Sequence, residues 1–308
     1  MPSIFFADPM TSTPFAANTR EKNLASVAMD EAPTPDAADV IVARRLPTVL
    51  ALFHLKKRYY VWTHEPAYAP FGEGSVRDVA TDTNVAMSTA FNGDIYLTPL
   101  YYFVFEPQNV DSVIAKARAK RDFCAFLATY RTDQSKLVGG VNADLAHFRQ
   151  NLALHLQAAR LCKIYGRGWP EEIAIEGESR GTGWHDSKLG IIESYTYNIA
   201  VENTIARNYV TEKHWDPIGA GCVQVYFGAG SGVEAVTPPG AYVDCSGGVE
   251  FGEIEARLRG LTQQDREGML EASVAAYNKV LESWTRRQVI QGMVDRFGQR
   301  VRELLDGV

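Results

Sequence analysis

The strongest constraint on this chain is an alternation. Short apolar runs that end abruptly in polar or helix-breaking residues take turns with longer amphipathic stretches, from Ser3 almost to the end. Ser3 to Asp8, Asp39 to Ala43 and Arg58 to Thr63 read as buried strands, and a helical stretch fits Thr48 to Leu55. Residues 10–37 are polar and rich in Pro and Thr, and suit a loop with one weak helix. Asp94 to Pro99 gives another short strand, and Val110 to Lys120 a helix. Phe123 to Ala128 then opens a second series. Leu145, Phe148, Leu152 and Leu156 mark one helix face within 142–156, and Leu161–Tyr165, Thr196–Val201 and Cys222–Phe227 read as strands. Thr211 to Gly221 is a further helix, and Thr262 to Leu305 is largely helical, with Thr262 and Asp265 at capping-box spacing. Strand, helix, strand in this order calls for parallel sheets.

At 308 residues the chain is long for one domain and suits two of about 150. The expected division is residues 1–121, residues 122–284 and a C-terminal helix, residues 285–308, packing back on the first domain. Ligands of open α/β sheets sit beyond the carboxyl ends of the strands, where Glu65, Arg167, Glu202 and Gly228 lie.

The formal net charge of −6 argues against a nucleic-acid partner. Cys124, Cys162, Cys222 and Cys245 form no CxxC pair, and the six histidines form no H-x-x-x-H set, so metal binding is not expected. Small, buried, reduced thiols are the expectation for the cysteines. No apolar run reaches the ~18 residues of a membrane span, and Met1 to Asp8 lacks a basic n-region. A cytoplasmic protein is expected, a weak membrane-surface association staying compatible with it; the oligomeric state is not legible.

The most informative stretch runs from Tyr197 to Gly228. A strand delivers Glu202 and Asn203 to the sheet edge, a short loop brings Tyr209, and a helix opens near Thr211 with Glu212 and Lys213 in its first turn. Free N–H groups, the positive dipole end and Lys213 would together suit a phosphate, and Glu212 could accept from sugar hydroxyls. The same residues also suit an ordinary helix start.

Glu202-Asn203-Thr204, then Tyr209-Val210-Thr211-Glu212-Lys213, then the strand ending at Gly228 resemble the signature of the α-1,3/4-fucosyltransferase family. Pro238-Pro239 with Ala241-Tyr242-Val243 is similar to the family's next element. Val201 stands where the family has an aromatic residue, and Gln224 where it has a proline. Val61 to Pro66 and Asp94 to Tyr102 resemble two segments of the family's first half. The resemblance implies α/β GT-B architecture, two Rossmann-like domains facing across a cleft, the first binding the acceptor and the second GDP-fucose.

It also implies transfer of L-fucose from GDP-β-L-fucose, with inversion, to O3 or O4 of N-acetylglucosamine in an oligosaccharide acceptor, without metal or cofactor. Carried over residue by residue, Tyr209 and Lys213 would face the phosphates and fucose, Glu212 the ribose, and Glu202 and Asn203 the donor pocket. Arg149 would contact the diphosphate, and Glu65 would be the general base, with His64 the alternative. Other readings are a GT-B transferase of another nucleotide sugar and a non-catalytic glycan- or nucleotide-binding protein on that fold. Gly177-Glu178-Ser179-Arg180-Gly181 fits the G-x-S-x-G elbow of hydrolases, but Thr182 to Asp186 read as loop, so the match is taken as coincidence.

Overall fold

The computed structural model describes residues 1–10, 13–63, 74–78, 83–89, 106–132, 137–138, 141–178 and 183–307. The chain divides into two compact units, Met1–Val104 with Trp284–Val308, and Phe105–Ser283.

In the first unit the elements are β1 (Ser3–Phe6), α1 (Arg20–Ser26), β2 (Asp30–Glu31), β3 (Val40–Ala43), α2 (Leu46–Leu50), β4 (Arg58–Thr63), β5 (Gly74–Asp78) and β6 (Thr83–Thr89). Its sheet has the order β2-β1-β3-β4-β6-β5, parallel except for β5 against β6. β3 is buried at all four positions, as a strand covered on both faces must be. Along β4 the side chains alternate: Tyr59 and Val61 join Ile41, Ala43 and Val49 on one face, while Tyr60 and Trp62 turn to the other.

That other face is covered by the C-terminal helix of the chain, whose Phe297 is fully buried among Phe6, Phe15, Tyr60 and Trp62. Arg302 donates to the Val27 carbonyl at 3.1 Å. A β-carbon on Gly298 would lie 2.8 Å from Val27, so only glycine permits this approach.

The second unit holds α3 (Val110–Arg118), β7 (Asp122–Leu127), the short antiparallel pair β8 (Leu137–Val138) and β9 (Val141–Asn142), α4 (Ala146–Ala158), β10 (Cys162–Tyr165), α5 (Trp184–Ile192), β11 (Tyr195–Ile199), α6 (Glu212–Gly219), β12 (Val223–Tyr226), β13 (Val243–Asp244), α7 (Phe251–Gly260) and α8 (Gln263–Ser283). The C-terminal helix, α9 (Arg286–Asp306), follows with a complete capping box between Thr285 and Gln288. The sheet order is β10-β7-β11-β12-β13, wholly parallel.

Three expectations need correction. The helix at 110–118 belongs to the second unit, not the first: Gln108 exchanges hydrogen bonds with Asn278 (2.8 and 2.9 Å), and Arg118 forks onto Glu267 with two contacts of 2.8 Å. The boundary therefore falls at Val104 and not at residue 121. The segment after Gly183 is α5 and not loop, because Gly183 takes a left-handed conformation (φ +73°) that starts the helix. The polar stretch 10–37 also carries β2 besides its helix. The Asp94–Tyr102 segment and Ser179 lie outside the described residues. All four cysteines are free and buried.

Phe297→Ala removes a ring that touches four aromatic neighbours. It should cost about 3–5 kcal/mol in urea unfolding. A cost under about 1 kcal/mol would mean that α9 does not complete the first core.

Candidate functional site

In the second sheet β7 continues through α4 to β10 on one side, while β11 continues through α6 to β12 on the other. β7 and β11 are neighbours, so the chain's direction of travel reverses between them. That junction is where open α/β sheets leave room for a ligand. The loops around it are held by specific contacts. Leu145 N–H donates to the Asn203 carbonyl (3.1 Å) and Ile205 N–H to the Ala143 carbonyl (2.7 Å), tying the exit of β11 to the entry of α4. On the far side of β7, Gly166 (φ +136°) passes so close to Ala128 that a β-carbon would lie 2.0 Å from its carbonyl oxygen.

Arg149 projects from α4 into the junction. It is buried, its Nη1 donates to the Val201 carbonyl just beyond β11 (3.1 Å), and its Nε has no protein partner. Burial pushes its pKa down, against the pull of Glu202 and Tyr209; a guanidinium keeps its charge regardless.

Glu202, only 2% exposed, is fully engaged by α6. Its Oε1 accepts from the backbone N–H (2.8 Å) and the hydroxyl (2.7 Å) of Thr211, and its Oε2 lies 2.9 Å from that hydroxyl and 3.0 Å from Lys213 Nζ. Thr211 caps α6, accepting from Lys213 N–H at 3.3 Å and from Lys213 Nζ at 2.9 Å. Lys213 also pairs with Glu212 at 3.2 Å and keeps 26% of its side chain exposed. Burial lowers the pKa of Lys213, but Glu202 and then Glu212 outweigh it, and the net shift is upward. Burial would raise Glu212; Lys213 and Lys188 reverse that and bring it to about 2. Lys213 and Glu212 are therefore charged at neutral pH.

The expectation of free amides at the start of α6 needs revision, because Thr211 N–H is taken by Glu202 and Lys213 N–H by the Thr211 hydroxyl. The cations gathered at this junction are the Lys213 ammonium and the Arg149 guanidinium. Glu202 itself, with both oxygens occupied, orients Lys213. Asn203 is half-buried with an orphaned Oδ1, and Tyr209 is 7% exposed beside Arg149. The junction thus gathers Arg149, Glu202, Asn203, Tyr209, Glu212 and Lys213. Glu65 and His64 lie outside the described residues. Among the described residues, no group of three or more His, Cys, Asp or Glu side chains is placed to hold a metal ion, and no helix is long and apolar enough to cross a membrane.

Sequence reasoning missed the supports of α6. Asp216 accepts from Lys188 at 2.7 Å and lies 3.1 Å from His185, both on α5. Gln224, standing where a proline was expected, donates to the His214 carbonyl (3.0 Å) and ties α6 to β12. His214 is completely buried, its Nε2 2.8 Å from the Thr237 hydroxyl. The i, i+4 spacing of Glu212 and Asp216 was the available signal for a cation on that helix face.

Burial lowers the His214 pKa from 6.5 to about 3, so this ring stays neutral and is no candidate base. Below pH 6.5 the unfolded chain takes up a proton that the folded chain refuses. Stability present above that pH is therefore lost as pH falls toward about 3, by up to about 1.4 kcal/mol per pH unit. Urea titrations at pH 6.5 and 4.5 should show a smaller difference in His214→Gln than in the wild type; equal differences would contradict the assignment.

Comparison with known proteins bears on this same region. Residues 131–271 match the C-terminal domain of glycosyltransferase family 10 (fucosyltransferase). An Arabidopsis thaliana α-(1,4)-fucosyltransferase is 36% identical over 72 residues, 23% of this chain and 17% of that protein. A Xenopus tropicalis GDP-fucose protein O-fucosyltransferase 3 is 32% identical over 66 residues, 21% of this chain and 13% of that one. The matched segments span less than a fifth of either relative. A crystal structure of an α1,3-fucosyltransferase superposes with a TM-score of 0.54 at 13% identity, covering 99% of this chain and 90% of that one, which establishes a shared fold. The chain has the GT-B fold, and its residues 131–271 match the C-terminal domain model of the family 10 fucosyltransferases.

Proposed function

We propose that the protein is an inverting, metal-independent fucosyltransferase that uses GDP-β-L-fucose. The observation that carries the reading is the Glu202–Thr211–Lys213 network at the sheet's switch point, with Arg149 beside it, inside the family-matched segment. Two cations held rigidly in a partly dry recess suit a departing diphosphate, because their orientation is fixed before reaction and the low local dielectric strengthens the attraction. Lys213 and Arg149 take the diphosphate, Tyr209 and Asn203 flank the fucosyl group, and Glu212 accepts from the ribose hydroxyls. Glu202 serves by aiming Lys213.

In the reaction an acceptor hydroxyl oxygen attacks the fucose anomeric carbon as the bond to the diphosphate oxygen breaks. The new linkage is α, GDP leaves with the bonding electron pair, and the hydroxyl proton passes to a carboxylate. The family resemblance makes that carboxylate Glu65. The acceptor class it implies is N-acetylglucosamine in an oligosaccharide, at O3 or O4. Counter-charge from side chains leaves the scheme without need of a metal. A cytoplasmic location remains part of the proposal.

Calorimetry with GDP and initial rates with GDP-fucose and N-acetylglucosamine oligosaccharides test this. Lys213→Met should weaken GDP binding ~10–100-fold, the scale of one lost charged hydrogen bond. Glu65→Gln should keep GDP affinity and lose at least ~100-fold in kcat, the scale of general-base catalysis. A wild-type protein with no affinity for GDP would end the reading.

A further inference from the structure

Glu212 and Asp216 are four residues apart, on one face of α6. Two carboxylates at that spacing repel one another, and one of them, Asp216, has a side chain only 1% exposed. A buried carboxylate needs a partner, and both of its oxygens find one on α5: Lys188 Nζ at 2.7 Å and His185 Nε2 at 3.1 Å. Lys188 is itself 89% buried at the side chain, with 11% exposed. Asp216 lies one helical turn from Glu212 on this face, so the Lys188 ammonium bound to it stands close to both carboxylates, and it helps keep the Glu212 pKa low. The resulting order of charges is alternating: Arg149, Glu202, Lys213, Glu212, Lys188, Asp216. Its near end is the candidate donor site; its far end is anchored in α5.

We infer that Lys188, held by Asp216, is a positioning residue for the nucleotide-sugar donor, acting through the Glu212 carboxylate. This rests on the donor reading above. Without the cation on α5, Glu212 would face Asp216 with only Lys213 to balance it. Glu212 would then draw Lys213 away from the ligand, or turn its own carboxylate from the ribose. Lys188 thus leaves Lys213 shared between Glu202 and an incoming diphosphate. Lys188 is separated from the donor by Glu212, so its removal should alter affinity and leave the chemical step alone.

Lys188→Gln tests this, since a neutral amide still donates to Asp216 while the charge is gone. Calorimetry with GDP should show roughly tenfold weaker binding, the scale of one coupled charge pair. Donor KM should rise in parallel while kcat stays within about twofold of wild type. Lys188→Arg should restore both. In a Glu212→Gln background, Lys188→Gln should have no further effect on affinity. Carbon-13 NMR titration of the Glu212 carboxyl reads the same link without any ligand: Lys188→Gln raises its pKa and Lys188→Arg leaves it near about 2.

Wild-type GDP affinity in Lys188→Gln, an equal loss in the Glu212→Gln background, or an unmoved Glu212 titration each overturns the inference. Failure of Lys188→Gln to fold while Lys188→Arg folds also counts against it, because the pair would then be a stability element first. A wild-type protein that ignores GDP sinks the donor reading itself, whereas wild-type binding that Lys188→Gln leaves unchanged sinks this inference alone.

Discussion

The second unit is organised around buried charge. Glu202 is removed from water at the end of β11, and an isolated carboxylate there would cost several kcal/mol. It is retained because four contacts of 3.0 Å or less converge on it, three from Thr211 and one from Lys213. These partners lie nine and eleven residues further along the chain. The turn between them has to return to the same strand end, which is why Asn208 takes a left-handed conformation (φ +63°) and donates to the Ser231 carbonyl at 2.7 Å. The loop geometry and the ion pair are one constraint: relaxing either strands the other. Arg149 completes the arrangement from α4, so the connections into α4 and α6 are fixed by a single set of charges.

Those charges are balanced. Arg149 and Lys213 face Glu202 and Glu212, and the sum is formally zero. Such a recess is stable when empty, because no ion is left uncompensated. On the proposed reading, a diphosphate would compete with two carboxylates for the Lys213 ammonium. Of the two, Glu202 is held by Thr211 on both oxygens, whereas Glu212 has 22% of its side chain exposed. The pair thus divides into a buried carboxylate held on both oxygens and a partly exposed one.

Much of this was written plainly in the chain. The strands β1, β3, β4, β7, β10, β11 and β12 are compact apolar runs, and burial on both faces of a parallel sheet requires that pattern. The grouping of Asn203, Tyr209, Glu212 and Lys213 was legible as well, since all follow β11 within fourteen residues. Other features were hidden for physical reasons. β13 is two residues long and α5 follows a run of glycine and polar residues, so neither has enough periodicity to register. The partners of Glu202 were not legible, because a carboxylate at a strand end looks equally suited to a ligand or to a helix cap. Only the meeting of Glu202 with Thr211 decides between them, and loop closure is not encoded in spacing. The placement of α3 with the second unit likewise depends on side-chain pairs, Arg118 with Glu267 and Gln108 with Asn278, that are about 150 residues or more apart in sequence.

The helix that presents Glu212 and Lys213 is eight residues long and contains Pro217. A segment so short is not helical by itself, and its proline leaves the Lys213 carbonyl without the usual intrahelical donor. Its order must therefore be imported, and the contacts that supply it come from every side. Glu202 fixes the cap, Lys188 and His185 fix Asp216 from α5, Gln224 holds the His214 carbonyl from β12, and Thr237 holds the His214 ring from beyond. Each of these is a polar contact to a buried group, so each acts over a narrow range of distance and angle. Nonpolar packing alone would tolerate sliding along the helix axis; five directional contacts do not. The first turn of α6 is consequently held in place by its surroundings, and on the proposed reading that fixes the Lys213 cation before charge develops in the transfer.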